Sequence, residues 1–203
     1  LLGPYEGAST DAPEAISMAL ARLRQLAAHE VGHTLGMGHN FAASTRNNNS
    51  VMDYPHPYVQ LNNGELDFSK AYDTNIGEWD KVAVAYGYQS FSSKESESEG
   101  LLSILSKANA DGHRYITDAD ARAAGGAHAY AHLWDNGTSP VAELQRLLVL
   151  RKHVLQRFSE KQIATNTPMA TLEESLVPIY LMHRYQTEAV AKMIGGMTYT
   201  YAV

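Results

Sequence analysis

The sequence has no cysteine in its 203 residues, which excludes disulfide bonds and metal sites built from thiolates. A tightly bound transition metal would therefore need histidine and carboxylate ligands, and the chain has nine histidines. An apolar run long enough to cross a membrane is also missing, so no transmembrane segment is predicted. Residues 1–14 lack the basic start and the apolar stretch of a signal peptide.

Positive charge is scarce as well. Lysine and arginine together number 16 against 22 acidic residues, which gives a formal net charge of -6. Because nucleic acids are bound through basic surfaces, this composition argues against a nucleic-acid partner. Hydrophobic residues make up 44% of the chain and charged residues 19%, which is the balance of a globular protein. The length predicts a single domain, residues 1–203, with its own hydrophobic core.

Helical patterns dominate the chain, so the sequence predicts a mainly-α fold. The first helix should cover residues 12–35, with Asp11 as its N-cap and with Gly36 and Gly38 at its end. The next stretch, residues 40–66, is predicted to be a loop because asparagine, proline and glycine are frequent in it.

The remainder of the chain divides around a short acidic run, residues 92–100, which we predict to be a flexible, solvated loop. Residues 1–91 before it contain the first helix, and residues 101–203 after it form a helical C-terminal part. The predicted helices other than the first cover residues 74–86, 101–108, 118–124, 140–163 and 172–194. Pro178 should kink the last of these helices.

One segment, HEVGH at residues 29–33, has a pattern that is typical of a zinc site. Residues four apart on a helix lie about 40° apart around the axis and about 6 Å apart along it, so His29 and His33 project from one face. Both imidazoles can then reach a single ion. Glu30 lies one step around the helix, where its carboxylate can reach a water on that ion without being a ligand.

His39 extends this pattern. In a continuous helix it would point away from the two earlier histidines and lie about 9 Å further along the axis, so it joins them only if the helix stops. Gly36 permits the positive φ angle that such a turn requires. Three neutral imidazoles leave the fourth tetrahedral position of zinc open, as in catalytic sites. We therefore expect a Zn²⁺ cofactor held by the three histidines, with Glu30 as the general base in peptide-bond hydrolysis.

The whole segment HEVGHTLGMGH, residues 29–39, matches the HExxHxxGxxH signature of the metzincin clan, and the chain resembles these zinc metallopeptidases. The resemblance implies a methionine-containing turn (Met-turn) below the metal, which SVMDY at residues 50–54 matches. Met52 would then form an apolar floor under the imidazoles. For Tyr54 the resemblance implies a role as a zinc ligand or as a stabiliser of the oxyanion; the alternative is a tyrosine that only packs.

Beyond the clan, the chain resembles the large bacterial zinc-dependent metalloproteases, many of whose domains have no assigned function. The segments that carry this resemblance are RQLAAHEVGHTLGMGHNFAAS, NSVMDYP, ITDADA, LWDNGTSPVAEL and YLMHRYQTEAVAKMIGG. The resemblance implies a peptide or protein substrate. It also implies a secreted, cell-envelope or periplasmic location, because such proteins usually carry export signals.

Metzincins place a twisted sheet before the zinc helix, and extended substrates pair with the edge strand of that sheet. Only 28 residues precede His29, so we expect this upstream sheet to be largely missing. The chain is then the C-terminal part of a metzincin-like catalytic domain, with a zinc helix, a Met-turn and a helical C-terminal subdomain. We expect a catalytic fragment of a longer polypeptide, in which zinc binding can survive even where efficient proteolysis is lost.

The sequence leaves alternatives open. The chain could be a non-catalytic zinc-binding scaffold or protein-interaction module, or an isolated fragment that is inactive without its upstream subdomain. Hydrolysis of a non-peptide amide would use the same site. His128 and His132 form a second pair four residues apart, which is either a second metal site or a polar helix face.

Overall fold

The computed structural model describes residues 13–201, which form seven α-helices, three short 3-10 helices and one hairpin. The α-helices are α1 (Pro13–Thr34), α2 (Glu78–Tyr88), α3 (Lys94–Ala110), α4 (Asp118–Ala121), α5 (Pro140–Gln156), α6 (Leu172–Tyr180) and α7 (Arg184–Gly195). The 3-10 helices are Ala43–Arg46, Glu160–Gln162 and Met169–Thr171, and the antiparallel hairpin pairs β1 (Gln60–Asn62) with β2 (Glu65–Asp67). This architecture confirms the predicted mainly-α fold with the upstream sheet largely missing. Within the described range, no helix is long and apolar enough to cross a membrane.

Helix α1 agrees with its prediction to within a residue at each end, although the predicted N-cap, Asp11, lies outside the described residues. Gly36 adopts a φ angle of 82° directly after the helix, as the spacing to the third histidine required. The two hydrogen bonds of a Schellman motif close this end, from the N–H groups of Gly36 and Met37 to the carbonyls of His33 and Gly32, each 3.0 Å long. The glycine therefore ends the helix and redirects the chain.

The acidic run at residues 92–100 is not the flexible loop that the sequence predicted, because helix α3 begins at Lys94. The Ser93 hydroxyl accepts a hydrogen bond from the Ser96 N–H group (3.1 Å), and the Ser96 hydroxyl accepts one from the Ser93 N–H group (2.9 Å). This reciprocal capping box provides partners for N–H groups that a helix start leaves unpaired. Lysine and glutamate also have good helix propensity. The capping box and this propensity together favour a helix in the charged run.

Two further elements differ from their predictions. The predicted loop at residues 40–66 contains the β1–β2 hairpin, whose turn residues Asn63 and Gly64 have φ angles of 52° and 84°, as a type I′ turn requires. The predicted helix at residues 172–194 is split into α6 and α7, with Pro178 inside α6 and the break at residues 181–183. The remaining predicted helices are present with shifted ends, and α5 stops at Gln156.

Two hydrophobic clusters join the parts of the chain on either side of residues 92–100. The first consists of Phe41, Ala42, Ile116, Ala121 and Ala131, and the second of Val59, Phe68 and Leu150. Phe41 lies two positions after His39 and is fully buried. The first cluster therefore anchors the loop of the third histidine to the C-terminal part.

A buried carboxylate, Asp80 in the first turn of α2, holds the turn at residues 50–54. Asp80 is only 2% exposed. It accepts hydrogen bonds from the Ser50 hydroxyl (2.5 Å), the Val51 N–H group (2.9 Å) and the Gly77 N–H group (2.6 Å). A Cβ atom at Gly77 would lie 1.9 Å from the Asn49 carbonyl oxygen, so only glycine allows this approach.

The substitution Asp80→Ala should leave two buried donors and one partly buried donor without an acceptor and lower the free energy of unfolding by about 3 kcal/mol. Urea unfolding measures this change. Glu78→Ala is the matched control, because Glu78 lies on the same helix turn and pairs only with the exposed Lys81. Similar losses in the two variants would contradict the assignment.

A second buried carboxylate, Asp135, should make stability depend on pH. Burial raises its pKa to about 6, against the opposing hydrogen bonds from Gln186 and Asn136. Between the ordinary pKa of 3.8 and about 6, the folded state keeps a proton that the unfolded state releases, so stability falls as the pH rises through this window. Asp135→Asn should make the fall smaller in urea unfolding measured from pH 4 to pH 6, a range in which Asp53, whose burial raises its pKa to about 8, adds a fall of its own. An offset between wild type and variant that stays constant over this range would contradict the assignment.

Candidate metal centre

The structure brings together the three histidines that the sequence proposed as ligands. His29 and His33 project from one face of α1, and their Nε2 atoms lie 3.1 Å apart. The Nε2 atom of His39 lies 3.1 Å from that of His33. One ring nitrogen from each histidine lies within 4.8 Å of the others, an arrangement that can hold a metal ion. Among residues 13–201, no other group of histidine and carboxylate side chains has this arrangement.

The other nitrogen of each ring contacts an oxygen that can only accept a hydrogen bond. His29 Nδ1 lies 2.7 Å from the Val51 carbonyl, and His33 Nδ1 lies 2.9 Å from the Met37 carbonyl. His39 Nδ1 lies 2.7 Å from a carboxylate oxygen of Asp118. Each Nδ1 must therefore carry the proton and donate it, which leaves the lone pair of each neutral ring on Nε2.

With this protonation pattern, the three neighbouring Nε2 atoms form a site that favours a cation. With the protons on Nδ1, no N–H group is available between the Nε2 atoms, and lone pairs only 3.1 Å apart repel each other. A metal ion bound by all three nitrogens would accept these lone pairs, and its positive charge would offset their mutual repulsion. The donor set is nitrogen only and comes from three imidazoles, which suits zinc and other late transition metals.

Burial favours the neutral form of His29, the first of the three proposed ligands. His29 is 1% exposed. Its pKa is lowered mainly by this burial, while the hydrogen bond to the Val51 carbonyl opposes the shift. Nearby His33 and His39 lower it further. Since only a neutral imidazole binds a metal, the environment of His29 favours binding over protonation.

The turn at residues 50–54 packs directly against the histidine helix. Met52 is fully buried, and a Cβ atom at Gly32 would lie 2.3 Å from its sulfur. The glycine between the two helical histidines therefore makes room for the methionine. The Met52 carbonyl also accepts a hydrogen bond from the Asn40 N–H group (3.0 Å), which joins this turn to the loop of the third histidine.

Tyr54, at the end of the same turn, reaches the convergence point. Its hydroxyl oxygen lies 3.2 Å from His39 Nε2, and its ring centroid lies 4.8 Å from those of His29 and His39. The structure therefore brings this predicted site residue to the three histidines. Its ring also packs 5.9 Å from that of Trp134.

Glu30 follows His29 on α1 and is exposed to solvent. Its carboxylate forms no hydrogen bond or ion pair with the described residues. Its negative charge nevertheless acts on the neighbouring ring, because it raises the pKa of His29 slightly against the effect of burial. The carboxylate therefore has no partner among the described residues.

Asp118 is a site residue that the sequence analysis missed. It lies at the start of α4, 79 positions after His39, and its second oxygen contacts Arg122 at 3.2 Å. Burial favours its neutral form, but the hydrogen bonds from His39 and Arg122 and the positive charge of Arg122 hold its pKa below the usual value. In the sequence, Thr117, Asp118 and Asp120 indicated only the start of a helix. No local pattern links the Asp118 carboxylate to a histidine 79 positions earlier.

The second histidine pair forms neither of the sites that the sequence allowed. Residues 128–132 are not helical. His128 is fully buried and contacts the Tyr199 carbonyl (3.0 Å), while His132 contacts the Leu133 carbonyl (2.6 Å). The expectation of a polar helix face is therefore wrong, because the segment is not a helix and each ring contacts a backbone carbonyl.

Removal of the Asp118 carboxylate should weaken metal binding without removing a ligand. Asp118→Ala frees the His39 ring to rotate and to change tautomer, so we expect zinc affinity to fall by about 10- to 100-fold. Competition with a chromophoric chelator measures the affinity. Asp111→Ala, which removes an exposed carboxylate paired only with Lys107 and outside the metal centre, is the control. Unchanged affinity in Asp118→Ala would rule out the orienting role.

The family comparison agrees with this geometry. A family model described as Met-zincin matches residues 11–203, and this match includes the three histidines, Glu30 and the turn at residues 50–54. No curated protein and no solved structure gives a significant match. The chain therefore belongs to the Met-zincin family, as a metzincin-clan domain of the zinc metallopeptidase type.

Proposed function

We propose that this protein is the zinc-binding core of a metallopeptidase that hydrolyses peptide bonds. The observation that carries the proposal is the convergence of three imidazole Nε2 atoms whose Nδ1 atoms are all held by acceptors. Three histidine ligands leave one tetrahedral position of zinc for a water or a substrate, whereas structural zinc sites are normally closed by four protein ligands. Bound zinc would supply the Lewis acidity that activates a water molecule and polarises a peptide carbonyl.

Glu30 is the proposed general base. Its carboxylate is exposed, is free of other partners among the described residues and directly follows a ligand. From this position it accepts a proton from the attacking water. It then returns the proton to the amine nitrogen as the peptide bond breaks, so the leaving group departs as a neutral amine.

Tyr54 is the proposed oxyanion stabiliser. Its hydroxyl group lies 3.2 Å from His39 Nε2, beside the point where the three ring nitrogens converge. A phenol at this position donates a hydrogen bond to the negative charge that develops on the carbonyl oxygen. Met52, packed against Gly32, is the proposed methionine of the Met-turn and supports the histidine helix from below.

We also propose that the protein works as part of a longer, exported polypeptide. One side of α1 carries an apolar stripe with helical spacing that no described element covers. Its exposed members are Ile16, Leu20, Leu23 and Val31. A stripe of this kind on a helix normally packs against another element. An upstream subdomain packed on this stripe would complete the substrate cleft. The proposal that the polypeptide is exported rests on the resemblance to large bacterial metalloproteases.

The same stripe favours a second candidate, a zinc-binding scaffold without catalytic activity. In that case α1 would present its apolar side to a protein partner, and the metal would only stabilise the fold. The carboxylate of Glu30 favours the peptidase, because it directly follows His29 in sequence and has no partner among the described residues.

The substitution Glu30→Gln separates the two candidates. If the protein is a peptidase, zinc content should be unchanged while peptide hydrolysis falls by about 10²- to 10⁴-fold. Zinc content is measured by mass spectrometry and hydrolysis with a mixed peptide library. Glu14→Gln, an exposed substitution on the same helix, should leave both unchanged. Full activity in Glu30→Gln would contradict the mechanism, and zinc-loaded wild-type protein that cleaves no peptide would favour the scaffold.

A further inference from the structure

Helix α4, which carries Asp118, has little support from its own sequence. It consists of four residues, Asp118–Ala121, and a helix this short is not stable by itself in water. The side chain of its N-cap residue, Thr117, makes no capping hydrogen bond. Contacts from elsewhere in the chain must therefore hold the turn that places the Asp118 carboxylate 2.7 Å from His39 Nδ1.

The C-terminal segment, residues 197–201, provides such contacts through two tyrosines. The Tyr199 hydroxyl donates a hydrogen bond to one carboxylate oxygen of Asp120 (2.7 Å), and the Tyr201 hydroxyl donates one to the other oxygen (2.6 Å). The hydrogen bonds from Tyr201 and Tyr199 lower the pKa of Asp120, so the carboxylate accepts both in its charged form. Hydrogen bonds to a charged acceptor are stronger than those between neutral groups.

The Tyr201 hydroxyl also completes the N-terminal end of α4. Thr117 is the N-cap and Asp120 is the third residue of the helix, which is the spacing of a capping box. In an ordinary capping box, the third side chain accepts a hydrogen bond directly from the N-cap N–H group. Here the Tyr201 oxygen accepts from the Thr117 N–H group (3.1 Å) and donates to Asp120. A residue 84 positions after Thr117 therefore supplies part of the cap.

The C-terminal segment is itself fixed to the interior of the protein. Met197 forms two backbone hydrogen bonds, of 2.7 Å and 3.0 Å, with residues 127–129. The fully buried ring of His128 contacts the Tyr199 carbonyl at 3.0 Å. Both tyrosine rings pack against the first hydrophobic cluster, which also anchors the loop of the third histidine. The segment therefore holds α4 against the same cluster as that loop.

We propose that the C-terminal segment is a positioning element of the metal centre. Its two tyrosines hold α4 through Asp120, and α4 in turn keeps Asp118 on the His39 ring. Asp120, Tyr199 and Tyr201 are then positioning residues, which act through Asp118 and not on the metal. The inference rests on zinc binding by the three histidines, which is part of the proposed function, and it does not require peptide hydrolysis.

Zinc affinity of the full chain tests this proposal. The double variant Tyr199→Phe/Tyr201→Phe keeps both rings and removes only the two hydroxyls, so α4 loses its hydrogen bonds to the segment. We expect zinc affinity, measured by competition with a chromophoric chelator, to fall by about 3- to 10-fold, because the Asp118 carboxylate is displaced but not removed. Tyr115→Phe is the matched control, because its ring packs edge-on against that of Tyr201 while its hydroxyl takes no part in the contacts of Asp120.

A double-mutant cycle separates positioning from a general effect on the fold. In the Asp118→Ala background, the two tyrosine substitutions should change zinc affinity by less than about twofold, because the carboxylate that they position is already absent. An equal loss in both backgrounds would mean that the tyrosines act only through the stability of the fold, and it would overturn the proposal. An unchanged affinity in Tyr199→Phe/Tyr201→Phe would also overturn it.

The His39 ring reports the same contact without any metal. Nitrogen-15 NMR of the metal-free chain should show the proton of the neutral ring on Nδ1 in wild type and in Tyr115→Phe. In Tyr199→Phe/Tyr201→Phe the proton should move toward Nε2, because the acceptor at Nδ1 is displaced. If the double variant does not fold, the two single variants serve for both measurements.

The two measurements distinguish failure of the positioning role from failure of the proposed function. A wild-type chain that binds no zinc would overturn the proposed function, and the His39 signals would then decide the positioning role. A proton that stays on His39 Nδ1 in the tyrosine variants would overturn that role, whether or not zinc binds. A proton that moves toward Nε2 in these variants and not in Tyr115→Phe would support it.

Discussion

The convergence of three imidazole Nε2 atoms is the constraint on which the rest of the structure depends. Nitrogen lone pairs about 3.1 Å apart repel one another, so each ring must be held in place by other contacts until a cation binds. The protein supplies these contacts with three acceptors: the carbonyls of Val51 and Met37 and the carboxylate of Asp118. Because each acceptor fixes the proton on Nδ1, the same contacts that orient the rings also prepare them to bind a metal.

The three acceptors come from different parts of the chain, and this distribution explains much of the fold. The Met37 carbonyl belongs to the Schellman turn at the end of α1, and Val51 belongs to a turn that Asp80 holds from α2. Asp118 comes from the C-terminal part, which the buried cluster around Phe41 joins to the histidine loop. The helical C-terminal part therefore contributes to the candidate metal centre, since its Asp118 holds the ring of one of the three histidines.

The convergence of the three histidines could be predicted from the sequence because helix periodicity and one glycine fix their positions locally. His29 and His33 share a helix face, and Gly36 adopts the positive φ angle that brings His39 back. Asp118 could not be predicted, because its partner lies 79 positions away and only tertiary packing brings the two together. The acidic run at residues 92–100 was wrongly predicted for a different reason: charge suggested a solvated loop, whereas the Ser93 capping box and good helix formers start α3 there.

If three imidazoles of this chain hold one zinc ion and leave a fourth position open, the metal should have a mixed nitrogen and oxygen environment. X-ray absorption at the zinc edge, on the purified chain supplied with one equivalent of zinc, measures this environment. We expect three imidazole nitrogens at about 2.0–2.1 Å together with at least one oxygen, and loss of this signal in His33→Ala. A zinc ion bound by fewer imidazoles, or a spectrum that His33→Ala leaves unchanged, would contradict it.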